Sequence, residues 1–448
     1  MFGRIYTFYS PKIVFLSAIA LFEIGSAVCG AAPTSTAFIV GRAIAGLGSA
    51  GIFSGATVII VNSIPLAKRA VYIASLGGLF GISSVIAPLL GGAFVTRVTW
   101  RWCFYINLPV GAVTIVSIFF MLKLSEAPAK AGLSLKDKLL QLDPLGNLFF
   151  MPAVICLLLA LQWGGSEYPW SDARVIALLV LFAVFTLIYI FIQSRGGERV
   201  LVPPRIIKQR SIAAGLWVTT CTAGAMMIMV YYLPIWFQAI KGVNAVDSGL
   251  MSIPLVLSLV IASIIAGIVT KTVGFYMPAL VLSAILYPIG AGMFVTFKVD
   301  TGRAAWIGYQ VLLGLGLGFG MQQPSMAAQT VLAKEDVPTG VSLMFFAQSL
   351  SGAIFVSVAQ NAFTQKLVEG LRAFPSINPA DVVNVGATEL RHILGQDQLD
   401  AVLEIYNSAL VKVFIVGVSV TSCMVFGVLA MEWKNVKEQD KIEQSLKA

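Results

Sequence analysis

The stretch LGGLFGISSVIAPLLGG, residues 76–92, contains no charged side chain, and the uncharged run around it extends from Arg69 to Arg97. A helix needs about 20 apolar residues to cross the hydrocarbon core of a bilayer. Backbone amides inside lipid must form their hydrogen bonds within their own segment, which excludes irregular structure along such a run. Residues 76–92 therefore predict the central part of a membrane-spanning helix.

The same pattern repeats along the whole chain of 448 residues, of which 58% are hydrophobic and 11% charged. A soluble protein carries about 25% charged residues. Apolar runs of about 20 residues alternate with short polar connections, and the two-residue alternation of a barrel strand is absent. We therefore predict an all-α polytopic membrane protein with about 12 transmembrane helices. The predicted spans are 12–30, 37–61, 71–95, 104–123, 145–163, 174–193, 211–239, 248–270, 275–297, 304–325, 340–362 and 409–432.

The positions of Lys and Arg predict the orientation, because cytosolic connections carry an excess of both. Most of the 30 basic residues fall in cytosolic segments if the N-terminus is cytosolic, and the C-terminus is then cytosolic as well. Residues 124–144 include LSLKDKLLQLDP, in which leucines recur at helical spacing with lysines between them. Both a short helix on the inner membrane face and a solvated linker fit this segment. Residues 363–408 are predicted as a long outer loop.

A short outer turn at 96–103 contains two tryptophans on either side of an arginine. Trp100 and Trp102 are expected at the level of the lipid headgroups, where amphipathic rings are favoured. The long side chain of Arg101 is expected to reach water or a lipid phosphate while its stem stays in an apolar environment.

The polar residues exclude several classes of function. The five cysteines lie in or beside apolar segments without metal-ligand spacing, and the single histidine, His392, is typical of a solvated loop residue. The net charge of +9 belongs to the connections between spans, which is not the pattern of a nucleic-acid-binding surface. LGLGLGFGMQQP, residues 313–324, is rich in glycine but lacks the Lys-Ser/Thr pair of a phosphate-binding loop. Without a His/Glu/Asp cluster in the spans, we expect no catalytic site, metal, cofactor or nucleic-acid partner.

Several segments resemble known transporters. WRWCFYINLPVG, residues 100–111, is similar to a segment between two spans of fungal multidrug and mycotoxin exporters of the major facilitator superfamily, in its fourteen-span drug:proton antiporter branch. Further similar segments are FEIGSAVCGAAP (22–33), GRAIAGLGSAG (41–51), ALQWGG (160–165), YYLPIWFQAIKG (231–242) and SGLMSIPL (248–255). The resemblance implies the major facilitator fold and secondary active, proton-coupled efflux of a small lipophilic molecule, such as a drug, toxin or secondary metabolite. It also implies a monomer in the plasma membrane. The alternatives are a vacuolar or vesicle membrane, uptake instead of export, and a truncated protein that does not transport.

The order of the motifs differs from the family layout. The family carries a membrane arginine on its fourth span and the antiporter motif on its fifth, whereas the matching segments lie here on the second and third predicted spans. FGRIYTFYSPK, residues 2–12, resembles the cytosolic loop between the family's second and third spans. The chain thus resembles a fourteen-span member that lacks its first two spans. The implied division is a remnant of the N-terminal half with four spans (1–123), an interfacial segment with an extra pair of spans (124–194) and a C-terminal half with six spans (195–448), including the outer loop 363–408 and a cytosolic tail (433–448).

Residues 76–92 resemble the antiporter motif of this family. Gly77 and Gly81 lie four residues apart on one helix face and permit close approach of a neighbouring backbone. Pro88 removes a backbone hydrogen bond and bends the helix, while Gly91 and Gly92 relieve the crowding. In the family this bent helix is thought to seal and flex between the two halves during export. On spacing alone, a well-packed helix without that role is the alternative.

Two charged residues inside predicted spans are candidates for proton coupling. An arginine at this depth costs free energy unless it is paired or hydrated, and Arg42 resembles the membrane arginine to which the family's proton transfer is attributed. Glu23 is the only carboxylate well inside a predicted span and is a second candidate for binding a proton. The alternatives are an Arg42 side chain that snorkels to the outer interface and a packing role for a protonated Glu23.

The second half supplies amide, tryptophan and methionine side chains that suit an adaptable cavity for a flat, lipophilic compound. Ordinary packing is the alternative for each of them individually. The candidate cavity residues are Trp217, Met226, Gln322, Gln323, Gln348 and Asn361.

Overall fold

A computed structural model describes residues 1–122, 134–165, 167–196, 200, 202–372 and 396–439. These residues are almost all helical, because each uncharged run satisfies its backbone amides within its own helix. In chain order, the helices are α1 (Phe2–Phe8), α2 (Pro11–Ala31), α3 (Ser35–Ser63), α4 (Leu66–Arg97), α5 (Trp102–Tyr105), α6 (Asn107–Met121), α7 (Leu135–Gln141), α8 (Pro144–Trp163), α9 (Ala173–Arg195), α10 (Pro204–Ile207), α11 (Arg210–Lys241), α12 (Ala245–Met251), α13 (Ile253–Val273), α14 (Met277–Met293), α15 (Arg303–Gly320), α16 (Gln323–Val331), α17 (Val337–Leu371) and α18 (Gln396–Ala430).

The helices agree with the predicted membrane spans. In the described ranges, 11 helical segments are long and apolar enough to cross a membrane. Helix α4, with 32 residues, is not one of these 11 segments, but it covers the predicted span 71–95. Each predicted span coincides with helical structure, so the predicted all-α membrane fold is confirmed. Helix α7 confirms a short helix within the segment 124–144, whose residues 124–133 lie outside the described ranges.

The helical bundle has two ends. The end that carries residues 1–10 is called the basic end below. Here Lys12 Nζ donates a hydrogen bond to the Phe119 carbonyl at the end of α6 (2.7 Å), and Arg210 Nε donates to the Ala430 carbonyl at the end of α18 (2.6 Å). These contacts join segments that the distribution of Lys and Arg assigns to one side of the membrane. The other end is called the opposite end.

The long helices form two packed groups. Helices α2, α3, α5 and α6 form the first helix group, and α11–α18 form the second helix group. Helix α4 leaves the first group and lies along α13, while α8 and α9 pair with each other and α8 touches α17. The main core lies in the second group, where Trp236, Tyr287 and Phe414 are fully buried.

The connection predicted as an outer loop at 363–408 is shorter than the sequence indicates. Helix α17 continues to Leu371 and α18 begins at Gln396, so both ends of the predicted loop are helical. Residues 373–395, including His392, lie outside the described part of the chain.

Packing between α17 and α18 explains why these helices extend beyond their apolar runs. The rings of Phe363 and Tyr406 meet with their centroids 5.1 Å apart. Leu367, one turn beyond Phe363, is fully buried in the same core. Each added turn therefore continues to bury apolar surface, although the sequence there is no longer uniformly apolar.

Candidate functional site

Helix α4, which carries the predicted antiporter motif, runs without interruption through position 88. Gly77 faces Gln322 so closely that a Cβ atom added to it would lie 3.0 Å from Nε2 of that amide. A Cβ on Gly92 would lie 3.2 Å from Cγ2 of Val246. The missing side chains at these two positions therefore let α4 approach the second helix group at two points along its length.

The remaining motif residues divide into two kinds. Gly91 faces open space, since no described atom lies within 4 Å of the position its Cβ would take. The relief of crowding beside Pro88 that was expected of Gly91 stays a prediction, because the surroundings of Pro88 are not described. The side-chain surroundings of Gly81 and Pro88 lie outside the described part of the structure, so their close approach and bend stay predictions.

A small cavity lies beside the Gly77 contact, towards the basic end. Its volume is about 10 Å³, and it is lined by Ala70 and Ile73 of α4, Ser263 of α13 and both Gln322 and Gln323. A space of this size holds about one water molecule. The structure therefore brings two of the predicted cavity residues together with the antiporter helix, in a conformation too closed for an organic substrate.

Gln323 is fixed more firmly than its neighbour. Its side chain is buried, and its Oε1 accepts a hydrogen bond from Thr270 Oγ1 on α13 (3.4 Å). Gln322 is half-buried and faces α4. The amide of Gln323 thus contacts α13, whereas the amide of Gln322 contacts α4.

Two other predicted cavity residues, Trp217 and Met226, do not border this cavity. Met226 is buried in the core of the second helix group. Trp217 is 48% exposed, and its indole Nε1 donates a hydrogen bond to the Cys423 carbonyl of α18 (2.8 Å). They lie on different faces of α11, and their place in a common substrate cavity stays a prediction.

The last two candidates, Gln348 and Asn361, lie on α17. Gln348 is half-buried. Asn361 is buried, and its Nδ2 donates to the carbonyls of Leu161 on α8 (2.9 Å) and Ser357 on α17 (3.1 Å). Asn361 therefore fastens the pair α8–α9 to the second helix group, and only its Oδ1 is without a partner among the described atoms.

Glu23 projects from α2 towards α6. Its Oε1 occupies the space that a side chain at Gly111 would need. Its Oε2 is buried and has no hydrogen-bond partner in the described structure. One turn away, Asn107 Nδ2 of α6 donates to Ser26 Oγ of α2 (3.1 Å). Glu23 is thus a lone carboxyl group held between two helices of the first group.

Arg42 lies on the adjacent helix α3 and is exposed. It forms neither a hydrogen bond nor an ion pair with the described residues, Glu23 included. Helices α2 and α3 pack side by side, but the two candidates for proton coupling are not in contact here.

Arg101, in the tryptophan-rich turn, contacts the end of a neighbouring helix. Its Nη2 donates to the Ala32 carbonyl at the end of α2 (3.0 Å), and its guanidinium lies 4.6 Å from the Trp100 ring centroid. This places a cation at the C-terminus of a helix, where it is favoured, while the half-buried side chain leaves the expected contact with water or a lipid phosphate a prediction. The partner is 69 residues away in sequence, so local sequence gives no signal for it.

A second helix end is held by Arg69, which sequence analysis did not select. The residue is buried, and it donates from Nε to the Ile64 carbonyl (2.8 Å) and from Nη2 to the Val61 carbonyl (2.9 Å). These carbonyls end α3. A charged residue directly after a span is the signal that could have indicated a cap.

At the basic end, Glu432 holds the chain after α18 against the start of α11. Its Oε2 accepts hydrogen bonds from Ser211 Oγ (2.9 Å) and Gln209 Nε2 (3.0 Å). Burial alone would raise the pKa of Glu432, but these hydrogen bonds and the charges of Lys434 and Arg210 bring that pKa below its ordinary value. Glu432 therefore stays ionised at neutral pH.

A family model described as Major Facilitator Superfamily matches residues 1–356. The chain belongs to the Major Facilitator Superfamily. It is therefore a member of a transporter family rather than an enzyme family, as the sequence predicts. Among solved structures, the human organic anion transporter MFSD10 (TETRAN) matches 94% of this chain and 79% of its own, with a TM-score of 0.55 and 13% identity. This likeness confirms the fold.

Two similar relatives are efflux pumps of fungi. The MFS-type efflux pump MFS1 of Arthroderma benhamiae is 54% identical over 444 residues, which cover 99% of this chain and 83% of the relative. The rubrofusarin-specific efflux pump aurT of Gibberella zeae is 50% identical over 440 residues, which cover 98% of this chain and 80% of the relative.

Proposed function

We propose that this chain exports a small, lipophilic organic molecule across a membrane and that inward movement of protons drives the export. The observation that carries this proposal is the 54% identity to an efflux pump over 99% of the chain. A second efflux pump, 50% identical, is named for rubrofusarin, which makes that compound a first substrate to test.

Proton coupling is assigned to Glu23 and Arg42. A carrier coupled to protons needs a group inside the membrane that binds and releases one, and ionisable residues at this depth are costly without such a role. The lone carboxyl group of Glu23 and the exposed guanidinium of Arg42 on the neighbouring helix support this assignment. Movement of α3 against α2 would alter the field of Arg42 at Glu23.

Substrate contact is assigned to a smaller set than the sequence suggested. Gln322, Gln323 and Gln348 remain candidates because they are uncharged hydrogen-bonding groups on segments that face α4 or α3. Trp217, Met226 and Asn361 are engaged in packing, so they come last among the candidates.

The basic end is assigned to the cytosol, with both termini on that side of the plasma membrane. The support is the gathering of the lysine- and arginine-rich connections at one end of the bundle. This orientation gives export from the basic end towards the opposite end.

Efflux from cells that express the chain tests the proposal. Cells are loaded with rubrofusarin, and its release is followed with and without a protonophore. We expect release above the background of non-expressing cells, and we expect a protonophore, Arg42→Ala and Glu23→Gln each to return it to that background.

Controls separate the assigned roles from general damage. Glu369→Gln makes the same chemical change at a carboxylate that is 69% exposed, and its release should equal that of the unmodified chain. Arg42→Lys tests whether charge alone suffices. Release that survives the protonophore and both substitutions contradicts proton coupling, and accumulation instead of release contradicts export.

A further inference from the structure

Helix α15 is wedged between α13 and α14 and has no room to shift. A Cβ added to Gly314 would overlap the Leu255 carbonyl of α13, and one added to Gly316 would overlap the backbone of Tyr287 on α14. Both faces of α15 therefore already touch the backbone of a neighbour. Such contacts leave little free volume for α15 to slide against α13 and α14.

The helix is interrupted after α15. Met321 and Gln322 form a turn, and α16 begins at Gln323 with Pro324 in its first turn. Pro324 lacks a backbone N–H and cannot continue the hydrogen-bond ladder of α15. Residues 323–330 of α16 are all buried, so the turn that carries Gln322 is supported on both sides.

Gln322 points from this supported turn into the Gly77 notch, which is the space left by the missing side chain of Gly77. Its Nε2 and Cγ lie 3.0 Å and 3.4 Å from the position of an added Cβ. The amide forms no hydrogen bond with the described residues. The fit is therefore one of shape, and a side chain held by shape can leave its place without breaking a polar bond.

Helix α4, which leaves the first helix group and lies along α13, is the other partner of this contact. Several of its large apolar side chains are exposed, including Leu79 and Ile86. The small cavity lies between its first turns and α13, directly beside the notch. Two further contacts close the same end, between Ser54 Oγ and Ser342 Oγ (3.2 Å) and between the rings of Phe53 and Phe345 (5.8 Å).

We propose that Gln322 is a gate residue of the basic end. It closes the passage between α4 and α13 by filling the Gly77 notch. When the first turns of α4 separate from the fixed α15–α16 turn, Gln322 leaves the notch and the cavity opens to water at the basic end. The role of this gate in transport rests on the proposed function, but the opening itself does not.

Reactivity of a cysteine in the cavity measures the opening directly. Ile73 is 3% exposed and lines the cavity, so a membrane-impermeant maleimide reaches Ile73→Cys only when the gate is open. The rate is measured on the purified full chain in detergent, without substrate or gradient. The chain without Ile73→Cys gives the background from Cys103 and Cys423, which are half-buried.

Matched valine substitutions on α4 separate the notch from the helix. Gly77→Val fills the notch and should raise the rate about tenfold or more, since overpacking a close contact shifts a two-state population on that scale. Gly91→Val makes the same change where no described atom lies within 4 Å, and the rate should stay unchanged. Gln322→Ala should also raise the rate, because it empties the notch without adding bulk.

The double variant Gly77→Val with Gln322→Ala completes the test. The valine then fills the space that the glutamine vacated, so we expect the rate to fall back towards that of the unmodified chain. Equal rates for Gly77→Val and Gly91→Val, or an unchanged rate in Gln322→Ala, would overturn the gate. If Gly77→Val does not fold, Gln322→Ala alone decides. Failure of rubrofusarin release with the expected labelling pattern contradicts the proposed function alone.

Discussion

The two helix groups use the same composition in different ways. The most apolar window of α11, in the second group, is 72% buried, whereas that of the segment Trp102–Met121, in the first group, is 6% buried. In water such exposure would be unstable, but lipid removes most of the free-energy gain from burying apolar side chains. Helix α11 is therefore held by the core of the second group, whereas the segment Trp102–Met121 has little buried surface and depends more on polar contacts at helix ends.

Those end contacts are cationic. Arg69 and Lys12 bind the carbonyls that end α3 and α6, and Arg101 binds the end of α2. Each places a positive charge at the negative end of a helix dipole, where unpaired carbonyls need donors. Only 11% of the residues are charged, and these three cations each hold a helix end.

The largest effect should come from the core of the second group. Trp236 is fully buried, and its ring lies tilted against that of Phe297 with centroids 4.2 Å apart. Its Nε1 donates a hydrogen bond to Asn407 Oδ1 (2.8 Å). We expect Trp236→Ala to lower the free energy of unfolding by about 3–5 kcal/mol. Thermal unfolding in detergent measures the loss. Trp217→Ala, at a residue that is 48% exposed, is the matched control, and an equal loss there would contradict a core-dependent second group.

A smaller effect is expected at Arg69, in support of the first group. Arg69→Ala leaves the carbonyls of Val61 and Ile64 without these donors, which costs about 1–3 kcal/mol for buried groups. We expect faster limited proteolysis of the chain after residue 60 and a lower temperature of thermal unfolding in Arg69→Ala. Lys68→Ala, at the exposed neighbour, should change neither. If Arg69→Ala is as stable as Lys68→Ala, the first group does not depend on this cap.

The smallest effect should be the pH dependence at Glu432. Its folded-state pKa lies below the ordinary value, so its stabilising contribution is present above the pKa of the unfolded chain and is lost as pH falls through the folded pKa. The difference in melting temperature between the unmodified chain and Glu432→Gln should be constant from about pH 6 to 8 and shrink below about pH 4. A difference that disappears already near neutral pH would contradict the depressed pKa.

Sequence alone predicts the spans because length and apolarity determine them. It does not predict where α17 ends and α18 begins, because beyond the apolar runs buried residues such as Leu367 and Tyr406 alternate with polar ones. Hydropathy averages these with their polar neighbours and indicates a loop.

The candidate site was harder to predict for a related reason. Trp217 and Met226 lie on one uniformly apolar helix, so periodicity does not tell which of them faces the core. The sequence predicts a close helix approach at Gly77, but it does not indicate that the partner is Gln322, which lies 245 positions later and is itself a predicted cavity residue. The sequence gives no sign of the contact between Arg101 and the Ala32 carbonyl, because the two residues become neighbours only after folding.

The attachment of α8 to α17 has a mechanical consequence. Asn361 holds the Leu161 carbonyl near the opposite end, and Phe150 meets Phe346 with ring centroids 5.3 Å apart nearer the basic end. Two fastenings at different depths prevent pivoting as well as sliding. We therefore expect the pair α8–α9 to move together with the second group. Displacement during a transport cycle should then occur at the contacts between α3 and α17 and between α4 and α13.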